Sequence, residues 1–541
     1  MTFEFKFTPD ELNHFSNENE AVKYKLKTGN AKMRDAIKDV ESGKLSVRIV
    51  KKSVDARHKP NTVINYKIEV LSDAEFKKRD KELTDSVFIY KDSTINMPKR
   101  PVIVGFGPAG MFAGLVLARY GLKPIIYDRG RIMDQRVERV ENYKSGKAKL
   151  DPENNVQFGE GGAGTFSDGK LHTGISDSYK QFIFDTFVEF GAPSDITYDS
   201  HPHIGTDNLR NVVVNIRKEI ESLGGEILFD AKVGGLKIED GKLKGYDYDW
   251  GQDNYDQEAD DMILAIGHSS RDTFRMLKKN GINMESKPFS VGVRIEHKRK
   301  DIDMAQYGFD TMNYHDISSA SYKLAVDTVT GRKLYTFCMC PGGEVVAGAS
   351  SAHSICTNGM SYYARDMENS NSALLVPVDS DIYGDGVLAG VEFQETLEQK
   401  AYEIAGSNES APSTTFKAFL NNEIPEGFGR IKPSYKPSVT PSDLNELFPK
   451  VISDSLKDGI VKMGRRIKGF DDDDAVLTAV EARSSSPVRI LRDKESFMST
   501  NVVGLYPCGE GAGYAGGITS SAIDGIKCAN ALVSKYVLDG I

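Results

Sequence analysis

Pro101-Val-Ile-Val-Gly105-Phe-Gly107-Pro108-Ala109-Gly110 decides how this chain is read, and Asp128 stands 18 residues beyond its last glycine. Pro101 to Val104 is a short apolar run suited to a strand buried on both faces. Ala109 to Tyr120 predicts a helix of small residues and leucines, and Lys123 to Tyr127 a second strand. Strand, fingerprint, helix, strand and acid in that order form the βαβ unit in which G-x-G-x-x-G signals a dinucleotide. Gly105 permits the tight turn, Gly107 lets a pyrophosphate approach the backbone, and Gly110 lets the helix pack on the sheet. Beyond Pro108 and Ala109, the free N–H groups of the helix start face the phosphates. Asp128 is placed to accept hydrogen bonds from a ribose 2′-hydroxyl.

Working outward, Phe158 to Lys170 holds Gly159, Gly161, Gly162, Gly164 and Gly169. So many glycines cannot make a regular element, since each loosens it by ~0.5–1 kcal/mol relative to alanine. The segment reads as a loop lying against a flat ligand, with Gly162, Gly164 and Thr165 among the binding residues. Arg129 and Arg136, the latter on a charged helix from Asp134 to Ser145, join that set. Asp207 is expected to cap a helix ended by Gly224-Gly225. Val233, after the next strand, is placed where backbone atoms bracket an adenine. Leu236 to Tyr248 reads as a hairpin turning at Asp240-Gly241. Met262 to His268 is a buried strand entering a loop at Ala265 and Gly267.

The chain end returns to glycines, Gly504-Leu-Tyr-Pro-Cys-Gly509-Glu510-Gly-Ala-Gly513-Tyr-Ala-Gly516-Gly517-Ile518, followed by a helix with apolar residues at core spacing. An acid in a glycine loop, Glu510 beside Gly509, can bind a polyol. A helix start at Gly517 and Ile518 can face a ring edge that turns anionic on reduction, contributing ~0.3–1 kcal/mol. A dinucleotide with a polyol and an electron-accepting ring is FAD, bound without a covalent link.

At 541 residues the chain has room for several domains. The expected fold class is α/β: a Rossmann-like FAD-binding fold with a parallel sheet and β-meander, an inserted sheet-bearing substrate domain, and a small N-terminal α+β module. The boundaries read as 1–98 for the module, 99–287 and 470–541 for the two parts of the FAD domain, and 288–469 for the insertion. The net charge of −9 argues against general attraction to nucleic acid or anionic membrane. Five cysteines, an odd number, argue against a secreted disulfide framework. With no basic-then-apolar leader, the expectation is a cytoplasmic protein. Residues 1–98 carry 19 Lys plus Arg against 16 Asp plus Glu, with a basic cluster at Arg48, Lys51, Lys52, Arg57, His58 and Lys59. That cluster reads either as a contact for RNA or another anion or as a solvated rim, and no aromatic stacking pattern accompanies it.

The chain resembles the bacterial FAD-dependent, or NAD(FAD)-utilising, dehydrogenase family within the glutathione-reductase-type flavoprotein superfamily. The resemblance rests on the fingerprint, on Phe-Gly-Glu-Gly-Gly-Ala-Gly-Thr-Phe-Ser-Asp-Gly-Lys-Leu, and on Ala-Ile-Gly-His-Ser-Ser-Arg-Asp-Thr. Gly-Val-Arg-Ile-Glu-His, Phe-Cys-Met-Cys-Pro-Gly-Gly, Glu-Ala-Arg-Ser-Ser-Ser-Pro-Val-Arg and the terminal glycine motif complete it. It implies a flavoprotein oxidoreductase, with Gly509 and Glu510 near ribitol and pyrophosphate and Gly517-Ile518 near the flavin ring. Many relatives carry aspartate where Glu510 stands. A second nicotinamide fingerprint and the C-x₄-C or C-x₂-C of disulfide reductases are both missing, so NAD(P)H enters only as a transient electron donor.

Cys338-Met-Cys340 reads as core packing, as a redox pair or as part of a metal site; no metal is expected. His172, His268 and His297 lie in motif loops and are read as structural or as proton donors. Arg294 is a candidate for an anionic substrate group, and Arg483 for that group or FAD phosphates. Three functions stay open: an oxidoreductase passing a hydride between flavin and a small organic substrate, a flavoenzyme acting on RNA through residues 1–98, and a flavin-dependent sensor or scaffold. No catalytic residue is assigned.

Overall fold

In the computed structural model, which describes residues 1–538, the fingerprint lies at the centre of a five-stranded parallel sheet. Its order is Leu505–Pro507, Met262–Leu264, Val102–Val104, Ile125–Tyr127 and Glu226–Leu228. The register is in step across all five: Val102 pairs with Met262 and Ile125, and these with Leu505 and Glu226. Every carboxyl end therefore stops at one edge, where ligands of open α/β sheets bind. Pro108–Arg119 lies against the sheet and against Ile518–Ser534, with Phe112, Leu115, Leu117, Ile526 and Leu532 fully buried. The two helices touch backbone to backbone: a Cβ on Gly525 would stand 2.1 Å from the Ala109 carbonyl oxygen.

The meander is present as Ala231–Glu239, Lys242–Trp250 and Asp253–Glu258, and Asp240 and Gly241, at φ 49° and 69°, form its first turn. One cap differs from expectation. Thr206–Ser222 begins after Gly205, and Asp207 instead accepts the Tyr363 N–H at 2.9 Å.

The inserted domain carries a seven-stranded sheet ordered Ala325–Asp327, Lys333–Cys340, Asn369–Val378, Phe289–Lys298, Val476–Glu481, Ala411–Thr415 and Val439–Pro441. Val476–Glu481 pairs with the Phe289–Lys298 strand inside this sheet. The chain thus returns to the FAD-type domain after residue 481, later than the boundary at 469 read from sequence. The acidic run Asp471 to Asp474 is a turn leading into the Val476–Glu481 strand.

The N-terminal module is an antiparallel sheet of Thr2–Phe7, Val63–Leu71 and Ser46–Asp55 with three longer helices, each started by a side-chain cap from Asn17, Asn30 or Ser72. Its basic cluster is largely spent on local partners. Arg48 pairs with Asp80, Lys52 with Glu18, Arg57 with Asp55, and Lys59 donates to the Ala305 carbonyl. Among the described residues no helix is long and apolar enough to cross a membrane.

Candidate functional site

A cavity of about 500 Å³ lies beyond the carboxyl edge of the parallel sheet. The three glycine segments meet there: Gly105 and Gly107 from the fingerprint, Gly162 and Gly164 from the second, and Glu510, Gly516 and Gly517 from the last. The fingerprint and the second segment touch directly, since a Cβ on Gly162 would sit 3.0 Å from the Gly107 Cα. Towards the cavity the backbone is bare: a Cβ on Gly267, Gly516 or Gly517 would meet nothing within 4 Å. That is a cradle made for a ligand that lies against main chain. It suits the dinucleotide that the fingerprint implies.

Pro108, Ala109, Asp128, Arg129, Val233, Ala265, Gly267 and Ile518 also line the cavity, as the sequence suggested. Asp128 is buried and its carboxylate organises the turn. Oδ1 accepts the Gly130 and Gly159 N–H groups at 2.9 Å, and Oδ2 accepts Phe106 N–H at 2.8 Å. Oδ2 retains a lone pair for a hydroxyl. Burial raises the carboxyl pKa against these bonds and the Arg136 charge. Arg129 lines the rim, stacked on Phe158 and paired with Glu153 and Asp272. Glu510 sits beside His268, with 3.5 Å between its Oε1 and Nδ1.

Four expected binding residues stand behind the wall. Arg136 is fully buried and donates to the carbonyls of Asn155, Val156 and Glu160, so it shapes the loop and leaves nothing for a phosphate. Thr165 is fully buried and its carbonyl accepts Thr206 Oγ1 at 2.6 Å. Gly110 allows the close packing read from its spacing, with a Cβ there falling 1.9 Å from the Gly105 carbonyl oxygen. Gly509 N–H donates to Asp524 at 2.7 Å, and Cys508 and Glu510 on either side reach the cavity.

Arg294 is corrected outright. It is fully buried and all five N–H donors are taken: two by Glu481, one by Asn358, one by Asn371 and one by the Cys338 carbonyl. No substrate anion can reach it. His297 is equally remote, buried against the Phe470 carbonyl at 2.7 Å. His172 does face the cavity, and burial followed by the neighbouring His201 charge lowers its pKa.

Sequence reasoning missed several lining residues: Gln157, Asp168 and Lys170, and from the inserted domain Lys323, Phe337, Asn358 and Glu481. Only Asp168 and Lys170 carried a signal, by standing inside a glycine loop already singled out. Asp168 is held near 2, because its Arg365 partner, at 2.5 Å, outweighs burial. Arg483 lines the cavity while paired to Glu398 at 2.7 Å and donating to Ser269 and Ser350. Elsewhere, Cys508, Cys528 and Asp524 cluster in the manner of metal ligands, but Arg492 already occupies both Asp524 oxygens. A cation there would face a guanidinium.

Residues 288–484 match the family described as "FAD-dependent protein, C-terminal domain-like". A protein of Clostridium beijerinckii, carrying the description "Uncharacterized protein", is 44% identical over 501 residues, covering 91% of this chain and 92% of the other. Among solved structures, flavin-dependent brominase Bmp2 is similar at 13% identity over 81% of this chain and 79% of that one, with a TM-score of 0.37. A geranylgeranyl bacteriochlorophyll reductase-like protein from Thermoplasma acidophilum gives 11% identity over 80% and 77%, with a TM-score of 0.35. At 44% identity over nearly its whole length the chain belongs to one family with the clostridial protein, and its domain match makes it a FAD-dependent flavoprotein.

Proposed function

We propose that the protein is an FAD-dependent oxidoreductase that passes a hydride between flavin N5 and a small organic substrate. The observation that carries this reading is the meeting of three glycine segments, far apart in sequence, on one cavity at the carboxyl edge of a parallel sheet. When bound, the cofactor supplies reversible two-electron chemistry. The chain's own groups do the holding. Gly105, Gly107 and the helix start beyond them take the pyrophosphate, Asp128 the ribose, Val233 the adenine, Glu510 the ribitol, and Gly517 and Ile518 the ring.

The substrate face lies between the inserted domain, through Phe337, Asn358 and Glu481, and the Gly161 to Lys170 loop. Lys170 and Lys323 face that space, and among the described residues neither has a carboxylate within ion-pair distance. They take the anion-holding role first read for Arg294. The locally paired basic cluster of the N-terminal module lends no support to an RNA substrate.

Purified protein is expected to be yellow, and heat should release FAD. Mass spectrometry of the supernatant decides it: FMN, or no flavin, overturns the reading. A second expectation concerns electron supply. Without a second fingerprint, NADH or NADPH would have to share the substrate face, giving ping-pong turnover. The favoured reading is that an organic substrate is itself the donor. Anaerobic stopped-flow with each nicotinamide should show slow or absent bleaching, and rapid full reduction at low nicotinamide would reverse that preference.

A further inference from the structure

The Lys333–Cys340 strand does not run straight into its end. Its pairing with Asn369–Val378 is regular from Tyr335↔Leu375 to Phe337↔Ala373 and then jumps to Cys340↔Asn371. Cys338 and Met339 thus oppose the single residue Ser372, which is a bulge. Cys338 takes φ 44°, a left-handed conformation that is strained for a side-chain-bearing residue and persists only where the surroundings hold it. In a straight strand residues i and i+2 lie about 6–7 Å apart, at the edge of disulfide reach. The bulge folds them together: Cys340 Sγ donates to the Cys338 carbonyl at 3.3 Å. Arg294 clamps this arrangement by donating to the same carbonyl at 2.9 Å.

The two sulfurs are unequal in access. Cys340 is fully buried, whereas Cys338 is half-buried. Cys338 lines the flavin cavity and also a vestibule of about 1500 Å³ between the inserted domain and the N-terminal module. Lys170, His172, Lys323 and Phe337 stand at the same junction. The charge environment is unequal too. The neighbouring Cys340 thiol, with the Lys170 and Arg294 charges, holds the Cys338 thiol below its usual range, whereas the neighbouring Cys338 and burial raise Cys340. Burial acts the opposite way on Cys356, pushing it up to about 12, and on Cys508, which it also raises.

We propose that Cys338 and Cys340 form a redox-active dithiol between vestibule and flavin cavity, with Cys338 the exchanging sulfur, Cys340 the resolving one, and a disulfide entering from the vestibule as the reaction partner. The Cys338 thiolate attacks one sulfur of R–S–S–R′, forming a mixed disulfide and releasing R′S⁻. The Cys340 thiol gives its proton to solvent, its sulfur attacks Cys338 Sγ, and RS⁻ leaves. One external disulfide becomes two thiols, and the pair becomes one intramolecular disulfide. The inference rests on the flavin reading for the source of the two electrons that reopen it.

The test treats the holoprotein with oxidised glutathione, blocks free thiols and maps peptides by mass. Wild type should carry a Cys338–Cys340 disulfide, Cys340→Ser a glutathione adduct on Cys338, and Cys338→Ser no adduct at Cys340. In untreated wild type, iodoacetamide should modify Cys338 at least about tenfold faster than Cys356, Cys508 or Cys528 near neutral pH, as its thiolate fraction requires. Equal rates, or no adduct in Cys340→Ser, overturn the proposal; the wild-type rates decide it if a variant fails to fold. Flavin absorbance of the same sample separates the two readings. An inert pair in a yellow protein removes this inference alone, and exchange in a colourless protein removes the flavin reading alone.

Discussion

Replacing Gly107 with leucine is expected to give a colourless protein that still folds. A Cβ at this position would have one neighbour within 4 Å, the Gly162 Cα at 3.8 Å, so the side chain enters the space kept for the ligand. The empty fold should lose no more than about 0.5 kcal/mol, as for substitutions that touch nothing in the packed interior. FAD would lose close contacts between backbone N–H groups and its pyrophosphate. At about 1.5–3 kcal/mol for each hydrogen bond to a charged group, two such losses weaken binding by ~100-fold or more. Gly110→Ala should behave oppositely. Its Cβ would stand 1.9 Å from the Gly105 carbonyl oxygen, main chain against main chain, and helix and turn must part. Overpacking of this kind costs roughly 1–3 kcal/mol, so a fall in melting temperature should accompany the loss of colour. Thermal melts of the cofactor-free proteins, read beside the FAD released by heat, separate the two. A Gly107→Leu protein that keeps one FAD per chain places the cofactor elsewhere.

The same pair of glycines shows what was legible in the sequence. Each backbone demand leaves a residue type with no alternative: Gly105 at φ 102°, Gly110 beneath a carbonyl, Asp128 gathering three N–H groups. Local spacing therefore revealed the βαβ unit, the meander turn and the edge at which the cavity lies. What the sequence hid depends on distant partners. Arg294, in a Val-Arg-Ile-Glu strand, looks the same whether its guanidinium meets a substrate or Glu481, 187 residues later. Arg136 likewise reads as a cofactor-binding residue until the 155–160 loop takes its guanidinium with four carbonyl bonds. The Cys338 bulge was invisible for a related reason. Alternation predicts a straight strand, and the extra residue exists only because the partner strand slips by one. Val476–Glu481, beyond the 469 boundary read from sequence, joins the inserted sheet by pairing with a strand about 180 residues earlier in the chain, which local spacing cannot show.

Glu398→Gln should have the largest effect on stability. Glu398 is fully buried on the Ala389–Ile404 helix of the inserted domain, between two arginines. Arg271, the first residue of the Arg271–Lys279 helix, reaches it at 2.9 and 2.6 Å; Arg483 reaches it at 2.7 Å with both Nε and Nη2. The two guanidinium charges outweigh burial and hold the carboxyl near 2. An amide in its place leaves two buried cations facing each other, a loss of about 3–5 kcal/mol. The pH dependence has a definite sign. The folded pKa lies below the ordinary 4.5, so this contribution is complete above about 4.5 and drains away as pH falls towards 2. Urea unfolding from about pH 7 down to about pH 3 should show wild type converging on the variant in acid. A variant within about 1 kcal/mol of wild type at neutral pH would show the triad to be dispensable. The loss should also reach the cavity. Arg483 donates to Ser269 Oγ at 3.1 Å, and Ser269 donates to Gln157 Oε1 at 3.1 Å on the cavity wall. A carboxylate of the inserted domain whose two arginine partners both lie outside it ties that domain to the glycine loops, so the cavity keeps its shape only while that charge stays paired.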